Sequence, residues 1–166
     1  MYAKILLVQA LLGMGCCGLF AQSVGRVVEG DTLPSFVVRL HDGTSFDTSQ
    51  PRESPLLLVF FHTKCLDCRR ELPVLQQLYE QYGEKLELLC ISRAEEEDAV
   101  KAYWQREQLT LPYSAQSDKR IFHLFADRGI PRIYLFDTLG KVVAAFREKV
   151  SRRKLERAVR RVLQHP

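Results

Sequence analysis

Two spacings of apolar residues alternate along this chain, and each predicts a different kind of element. Solid apolar runs at Leu56–Phe61 and Leu86–Ile91 are typical of strands buried on both faces of a sheet. Between them, apolar positions recur at helical spacing through Cys65–Tyr82, and Gly83 supplies a stop. The middle of the chain therefore predicts a buried strand, an amphipathic helix and a second buried strand.

A second helix is predicted after the second buried strand. Ser92 and Glu95 have the spacing of a capping box, and the acidic run that starts at Glu95 suits the positive end of a helix dipole. This helix is predicted to run to about Gln108 and to be followed by a shorter one over Lys119–Asp127.

Paired strands are predicted at both ends of the folded region. Asp42-Gly43 is a hairpin signal between Phe36–Leu40 and Thr44–Phe46. Near the C-terminus, Ile133–Phe136 and Lys141–Phe146 are predicted to pair across a short turn. One apolar stripe marks a final helix: Leu155, Ala158, Val159, Val162 and Leu163. The order hairpin-β-α-β-α-α-β-β-α predicts an α/β sandwich whose sheet mixes strand directions.

The composition limits the class of protein. With 166 residues, 46% of them hydrophobic and 27% charged, the chain is long enough for one domain with a core and too short for two comfortable ones. These fractions exclude a disordered polyelectrolyte, a collagen-like fibre and a multi-span membrane protein. A formal charge of +4 does not indicate a nucleic-acid partner, and no pattern implies an oligomer.

The first segment predicts an export signal. Residues 1–21 fit a secretory signal peptide, because Lys4 precedes an apolar stretch that is too short and too interrupted to span a membrane. Cleavage after Ala21 would leave residues 22–166 as the mature domain. The alternative is lipid attachment at Cys16, although Gly13 stands where lipoprotein processing usually has an aliphatic residue. Both alternatives predict an exported, periplasmic protein.

Export changes the interpretation of the remaining cysteines, because Cys65, Cys68 and Cys90 would face an oxidising compartment. Cys65 and Cys68 are separated by two residues, directly after a buried strand and at the start of an amphipathic helix, and this context is typical of a redox motif. Half of a zinc site and a plain structural disulfide are the alternatives. The first lacks two further ligands, and the second closes too short a loop to stabilise much. Cys90, inside a strand, is interpreted as a small buried apolar residue.

Of the two paired cysteines, Cys65 is predicted to attack a substrate and Cys68 to resolve the product. At a helix start the Cys65 sulfur faces unpaired backbone N–H groups and the positive end of the dipole, and Lys64 adds a positive charge, so the thiolate is favoured. The carboxylate of Asp67 opposes the thiolate and favours a more reducing pair.

The cysteine segment is similar to that of a known family. Residues 60–73 (FFHTKCLDCRRELP) resemble the active-site segment of the TlpA/ResA-like thioredoxin-fold proteins of bacteria. The resemblance extends over about residues 33–143 and includes the Asp42-Gly43 hairpin and Gly129-Ile130-Pro131.

The resemblance implies a thioredoxin-like three-layer α/β sandwich with a mixed central sheet and an added N-terminal β-hairpin. It implies that Pro131 is cis and packs against the cysteine pair, that the Ile130 backbone pairs with an incoming peptide, and that Glu71 handles protons. Pro73 is implied to kink the first helix. On the residue pattern alone, Glu71 is also compatible with an exposed glutamate in a surface ion pair.

These observations predict an exported thiol-disulfide oxidoreductase that reduces protein disulfides through Cys65 and Cys68, with no cofactor and no metal. In the family the substrates are exported disulfide proteins such as apocytochrome c, and the resemblance implies a membrane thiol protein as the electron donor. The chain departs from the family at Lys64, where tryptophan is usual, and at Asp67, where proline is frequent. Both departures bear on the redox potential and on the choice of partner.

Three other functions are left open. A thiol peroxidase requires a threonine three residues before its reactive cysteine, where this chain has His62. A copper-delivery protein of the same fold spaces its cysteines by three residues and adds a distant histidine. A redox-inactive binding module would not need both cysteines.

Overall fold

The computed structural model describes residues 26–164, so the predicted signal segment, its cleavage point and Cys16 lie outside the described residues. The elements along the chain are β1 (Val37–Arg39), β2 (Ser45–Asp47), β3 (Leu56–Phe61), α1 (Leu66–Tyr82), β4 (Glu87–Ser92), α2 (Glu97–Arg106), β5 (Tyr113–Ser114), α3 (Arg120–Phe125), β6 (Arg132–Phe136), β7 (Val142–Arg147) and α4 (Arg152–Gln164).

A five-stranded mixed sheet forms the centre of the molecule. Its strand order is β5-β4-β3-β6-β7, and β3 pairs in parallel with β4 and antiparallel with β6. Every residue of β3 is buried, as its unbroken apolar run predicts. The central strand therefore ends in the interior of the fold, and the chain leaves it directly for the cysteine pair and α1.

Alternate residues of β3 enter two separate cores, because successive side chains of a strand point to opposite faces. Leu57 and Phe61 pack with residues of α1, α2 and α4. Leu58 and Phe60 pack with residues of α3 and of the hairpin β1-β2. The sheet lies between these two layers, which confirms the predicted three-layer thioredoxin-like sandwich and its added N-terminal hairpin.

The hairpin β1-β2 is antiparallel and closes at Gly43, whose φ of +88° lies in the left-handed region that glycine favours. It also covers one edge of the central sheet. The His41 N–H donates to the carbonyl of Tyr113 in β5 at 2.9 Å, and the two rings stack 4.6 Å apart. The hairpin therefore shields the short edge strand of the sheet.

The predicted capping box is wrong. Ser92 is the last residue of β4, and its hydroxyl accepts the Gln116 N–H at 2.7 Å. Helix α2 begins later, at Glu97. The Glu95 side chain accepts a hydrogen bond from the Thr63 N–H. Tertiary contacts therefore engage both side chains that the local spacing assigned to a cap.

Smaller differences concern element ends and one short strand. Helix α2 ends at Arg106 rather than near Gln108, and α3 covers only Arg120–Phe125. Gly83 ends α1 as predicted, in a right-handed conformation with φ −60°. The strand Tyr113–Ser114 escapes prediction because two residues cannot display a period.

Candidate active site

The two cysteines after β3 form a close pair at the start of α1. Their sulfur atoms lie 2.6 Å apart, and both residues are free thiols within reach of a disulfide bond. Cys65 is the N-cap of α1, and its sulfur accepts the N–H of Cys68 at 3.2 Å. Cys65 is partly exposed, whereas Cys68 is only 1% exposed.

The surroundings make the two sulfur atoms unequal. Burial raises the pKa of the Cys68 thiol, and the hydrogen bond that this thiol donates to the Cys65 sulfur raises it further. The Cys65 sulfur accepts that bond as well as one from a backbone N–H, and hydrogen bonds of both kinds stabilise an anion. The geometry therefore distinguishes an accessible sulfur that accepts two hydrogen bonds from a buried thiol that donates one of them.

The Ile130-Pro131 turn lies beside this pair. Its peptide bond is cis, as the family resemblance implies, and the Cys65 thiol donates a hydrogen bond to the Ile130 carbonyl oxygen at 3.7 Å. Strand β6 starts immediately afterwards and pairs with β3. Neighbouring strands therefore position the cysteines and the turn together. The pairing of the Ile130 backbone with a peptide stays a prediction.

Glu71 is buried in α1, one turn after Cys68, with 3% of its surface exposed. Its Oε1 accepts the Val150 N–H at 3.1 Å, while its Oε2 has no hydrogen-bond partner among residues 26–164. Burial raises the pKa of this carboxyl, and the charge of Asp67 contributes in the same direction. The alternative of an exposed surface ion pair is therefore wrong for Glu71.

Glu95 is a second buried carboxylate, and sequence reasoning missed its place in the site. It accepts the Thr63 N–H at 2.8 Å on Oε2, and the Thr63 hydroxyl donates a short hydrogen bond to Oε1. Its side chain is 5% exposed. Because Thr63 stands two residues before Cys65, Glu95 fastens the loop that leads from β3 to the nucleophile. No local signal could have found a contact that spans 32 residues.

The residues that flank the cysteines lie at or near the surface. The Nδ1 atom of His62 lies 3.1 Å from the Lys64 backbone nitrogen and 3.5 Å from Oε1 of Glu95. Lys64 itself is exposed. Asp67 pairs with Arg70 at 3.1 Å, which partly balances its charge. The modulating roles of Lys64 and Asp67 stay predictions.

Cys90 lies apart from this chemistry. It is completely buried in β4, and burial raises the pKa of its thiol.

Among residues 26–164, no three His, Cys, Asp or Glu side chains gather where they could hold a metal ion. Within the same range, no helix combines the length and the apolar character needed to cross a bilayer.

Comparisons with known proteins relate this chain to thiol-disulfide oxidoreductases. A family model for the AhpC/TSA family matches residues 29–145. The thiol-disulfide oxidoreductase ResA of Bacillus cereus (strain ZK / E33L) is 28% identical over 140 residues, which cover 84% of this chain and 80% of that protein.

Two solved structures extend the comparison. A candidate protein disulfide isomerase from Bacteroides thetaiotaomicron has a TM-score of 0.77 and 26% identity, and the match covers 86% of this chain and 94% of that one. A secreted Mycobacterium tuberculosis disulfide oxidoreductase homologous to E. coli DsbE shares the fold at 18% identity, with a TM-score of 0.68 and coverage of 76% and 96%.

Proposed function

The chain belongs to the AhpC/TSA family and is a thioredoxin-fold thiol-disulfide oxidoreductase, and from that premise we propose that it is an exported reductase of protein disulfides. One observation carries the proposal: an accessible cysteine sulfur and a buried thiol lie 2.6 Å apart beside a cis-proline turn. This separation supports a two-step exchange, because each step needs one of the two sulfur atoms.

In the proposed reaction the Cys65 thiolate attacks one sulfur of the client disulfide. A bond forms between Cys65 and that sulfur, the client S–S bond breaks, and the second client sulfur leaves as a thiolate. Cys68 then attacks the Cys65 sulfur, forms the Cys65–Cys68 disulfide and releases the first client sulfur. Two electrons pass from the dithiol to the client, and two protons end on the client thiols.

Glu71 is proposed to take the proton of Cys68 in the second step. The Cys68 thiol is buried and must lose its proton before it can attack, so a nearby base is required. The carboxyl of Glu71 follows Cys68 by one helical turn, and its raised pKa brings it closer to the range in which a group both accepts and releases protons. Its unpartnered Oε2 leaves one oxygen free of competing hydrogen bonds within the described chain.

The Ile130-Pro131 turn is proposed to hold the client. The Ile130 carbonyl faces the nucleophilic sulfur from 3.7 Å, so a client strand that pairs with this backbone would bring its own sulfur to Cys65. Main-chain pairing accepts many sequences, which suits an enzyme that acts on protein disulfides.

Export and the reducing direction complete the proposal. Export rests on the signal-like residues 1–21 and on the secreted relative of the same fold. The reducing direction rests on the ResA resemblance and on the carboxylate of Asp67, and a membrane thiol protein is proposed to restore the dithiol.

A redox titration against glutathione checks the direction: a potential near about −270 mV supports a reductase, and one near about −120 mV contradicts it.

Trapping of the client tests the function itself. The Cys68→Ser variant lacks the resolving thiol, so we expect exported proteins to accumulate on it as mixed disulfides with Cys65. The Cys65→Ser variant is the matched control and should trap none, while Cys90→Ala should cycle like the wild type. Absence of any trapped protein on Cys68→Ser in the native host would contradict the proposal.

A further inference from the structure

The excess of positive charge in the folded chain is confined to its last helix. Helix α4 holds six Lys or Arg residues and one carboxylate, Glu156. Residues 26–151 hold 17 Lys or Arg residues against 19 Asp or Glu residues. The molecule therefore combines a slightly acidic body with a strongly basic helix. This asymmetry indicates an anionic partner for the helix in particular.

The cationic residues of α4 lie on the side that faces away from the core. Its apolar residues Leu155 and Val159 are buried, whereas all six Lys and Arg residues are exposed. Arg153, Arg157 and Arg161 recur at every fourth position, so they follow one another along the solvent side of the helix. These three residues, here called the arginine row, extend over about 12 Å.

The arginine row has no counter-charge within the described chain. Among residues 26–164, Arg153, Arg157 and Arg161 form no hydrogen bond or ion pair. The carboxylate of Glu156, the single acidic group of the helix, is already paired with Arg160 at 2.7 Å. The row is therefore available to an anion from outside the chain.

An apolar groove borders the arginine row. It has a volume of about 410 Å³, lies between α4 and β7, and has apolar walls formed by Val143, Ala144, Phe146, Ala158 and Val162. Lys154, Arg157 and Arg161 also line it, and the Lys154 ammonium lies 5.5 Å from the centre of the Phe146 ring. Val143 is 41% exposed at a point where the pairing of β6 with β7 skips one residue. Exposed apolar surface and cations are therefore adjacent.

The groove also lies near the start of the described chain. Glu29 lines it, and the backbone of Gly30 and Asp31 bonds that of Val142 at the start of β7. Eight positions separate Ala21, the predicted cleavage point, from Glu29, and this length of chain spans at most about 28 Å. Under the proposed export, the groove therefore stays within reach of the membrane until cleavage.

We propose that the arginine row and the groove dock the protein on a membrane that contains anionic phospholipids. Lipid phosphates pair with the arginine row, and the groove accepts an apolar part of the same lipids. A nucleic acid offers no hydrocarbon to the groove, and a second copy of the chain would bring a helix of like charge. The inference goes beyond disulfide exchange and does not depend on it.

Docking through α4 leaves the cysteine pair accessible. Tyr82, the last residue of α1, accepts a hydrogen bond from Arg160 on its hydroxyl at 3.1 Å, so the second half of α4 lies beside the C-terminal end of α1. Cys65 lies at the opposite end of this 17-residue helix, about 25 Å away. A client can therefore reach Cys65 while the arginine row is in contact with lipid.

Vesicle co-sedimentation tests the proposal. The full-length protein is mixed with phosphatidylcholine vesicles that either contain or lack phosphatidylglycerol. We expect binding to the anionic vesicles to be at least about tenfold tighter at low salt, and high salt should reduce this difference. The measured quantity is the difference between two lipid compositions, so apolar residues 1–21 contribute to both arms where they are retained.

A triple variant locates the effect on the arginine row. The combined Arg153→Gln, Arg157→Gln and Arg161→Gln substitutions should reduce the difference between the two vesicles to about twofold or less. The matched control removes three exposed cations near the other edge of the sheet and should retain the difference: Arg39→Gln, Lys101→Gln and Lys119→Gln. Equal binding to both vesicles, or an equal loss in the two triple variants, would overturn the inference.

A second pair of variants tests the groove. Val143→Asp adds a carboxylate inside the groove, and Leu139→Asp adds one at a residue that is 82% exposed outside it. We expect Val143→Asp to weaken binding to the anionic vesicles at least about threefold more than Leu139→Asp does. Equal effects of the two substitutions would remove the groove from the proposed surface.

Two further measurements separate this inference from its alternatives. Dimers in analytical ultracentrifugation that the arginine-row variant abolishes, without any lipid preference, would assign the surface to a second copy and overturn the inference. Disulfide exchange by the arginine-row variant should match that of the wild type. Lipid preference in a wild-type protein that exchanges no disulfides would support the docking surface and contradict the proposed reductase.

Discussion

Glu71 and Glu95 are both buried carboxylates next to the cysteine segment, and they differ in how their oxygen atoms are satisfied. In Glu95 each oxygen accepts a hydrogen bond from Thr63, one from its N–H and one from its hydroxyl. In Glu71 one oxygen accepts the Val150 N–H, and the other is without a partner among the described residues. The two carboxyl groups are therefore similarly buried, but only Glu95 has a hydrogen-bond donor for each of its oxygen atoms.

This difference indicates that one carboxylate stabilises the structure and that the other takes part in proton transfer. A carboxylate with both oxygens bonded holds its donors in place and stabilises the loop that carries them. A carboxyl with one oxygen unbonded and a raised pKa can accept and release a proton at low cost. We therefore assign Glu95 to the support of the loop before Cys65, and Glu71 to the proton of Cys68.

The largest expected effect is kinetic and concerns Glu71. Glu71→Gln keeps the bond from Val150 but removes the base, so we expect the second step, attack of Cys68 on the mixed disulfide, to slow by roughly 100-fold at neutral pH. Stopped-flow kinetics of the resolving step measure it. Glu80→Gln, at an exposed position of the same helix, is the control and should leave the rate unchanged. Equal rates in both variants would remove the proposed role of Glu71.

The next largest effect should be a loss of folding stability when Glu95 is replaced. Glu95→Ala leaves the two Thr63 donors without their acceptor, which we expect to lower the free energy of unfolding by about 2–3 kcal/mol. Urea denaturation measures the loss. The neighbouring Glu96→Ala removes an exposed carboxylate and should cost less than about 0.5 kcal/mol. Similar costs for the two variants would show that Glu95 does not support the loop.

Thr63→Val tests how much the hydrogen bond from the Thr63 hydroxyl to Glu95 contributes to stability. The substitution removes the hydroxyl donor and keeps the backbone N–H, so one of the two bonds to Glu95 survives. We expect a loss of about 1 kcal/mol in the free energy of unfolding, clearly less than for Glu95→Ala. A loss as large as that of Glu95→Ala would assign the contribution of Glu95 to the hydroxyl bond alone.

The smallest expected effect is the pH dependence that Glu71 gives to the free energy of unfolding. Burial raises the pKa of Glu71, so the folded protein binds this proton more tightly than the unfolded chain does. The contribution is fully present below the pKa of an unfolded glutamate and is lost as the pH rises through the folded pKa. In parallel urea titrations, Glu71→Gln should therefore gain stability relative to wild type as the pH rises. A difference that stays constant with pH would contradict the raised pKa.

Local patterns were sufficient for the elements that depend on local physics. The limits of β3 match the unbroken apolar run Leu56–Phe61, because six consecutive apolar residues must be covered on both faces. The hairpin closes at Gly43 because the left-handed conformation of its turn requires glycine. The cysteine pair is equally local, since an N-cap residue and the third helical residue meet across one turn.

The remaining features depend on contacts between distant parts of the chain. Ser92 and Glu95 have the spacing of a cap, but the first bonds Gln116 and the second bonds a residue 32 positions away. Glu71 stands at helical spacing from Cys68 and Leu75 on the buried face of α1, so its burial has a local signal, but its hydrogen bond from Val150, 79 positions away, has none.

Site-resolved alkylation tests the central claim, the inequality of the two cysteines, most directly. Reduced protein is treated at neutral pH with a limiting amount of iodoacetamide, and mass spectrometry follows the label on Cys65 and Cys68 with time. The account predicts that Cys65, the accessible acceptor sulfur, is modified at least about tenfold faster than the buried Cys68. Equal rates, or faster modification of Cys68, would contradict it.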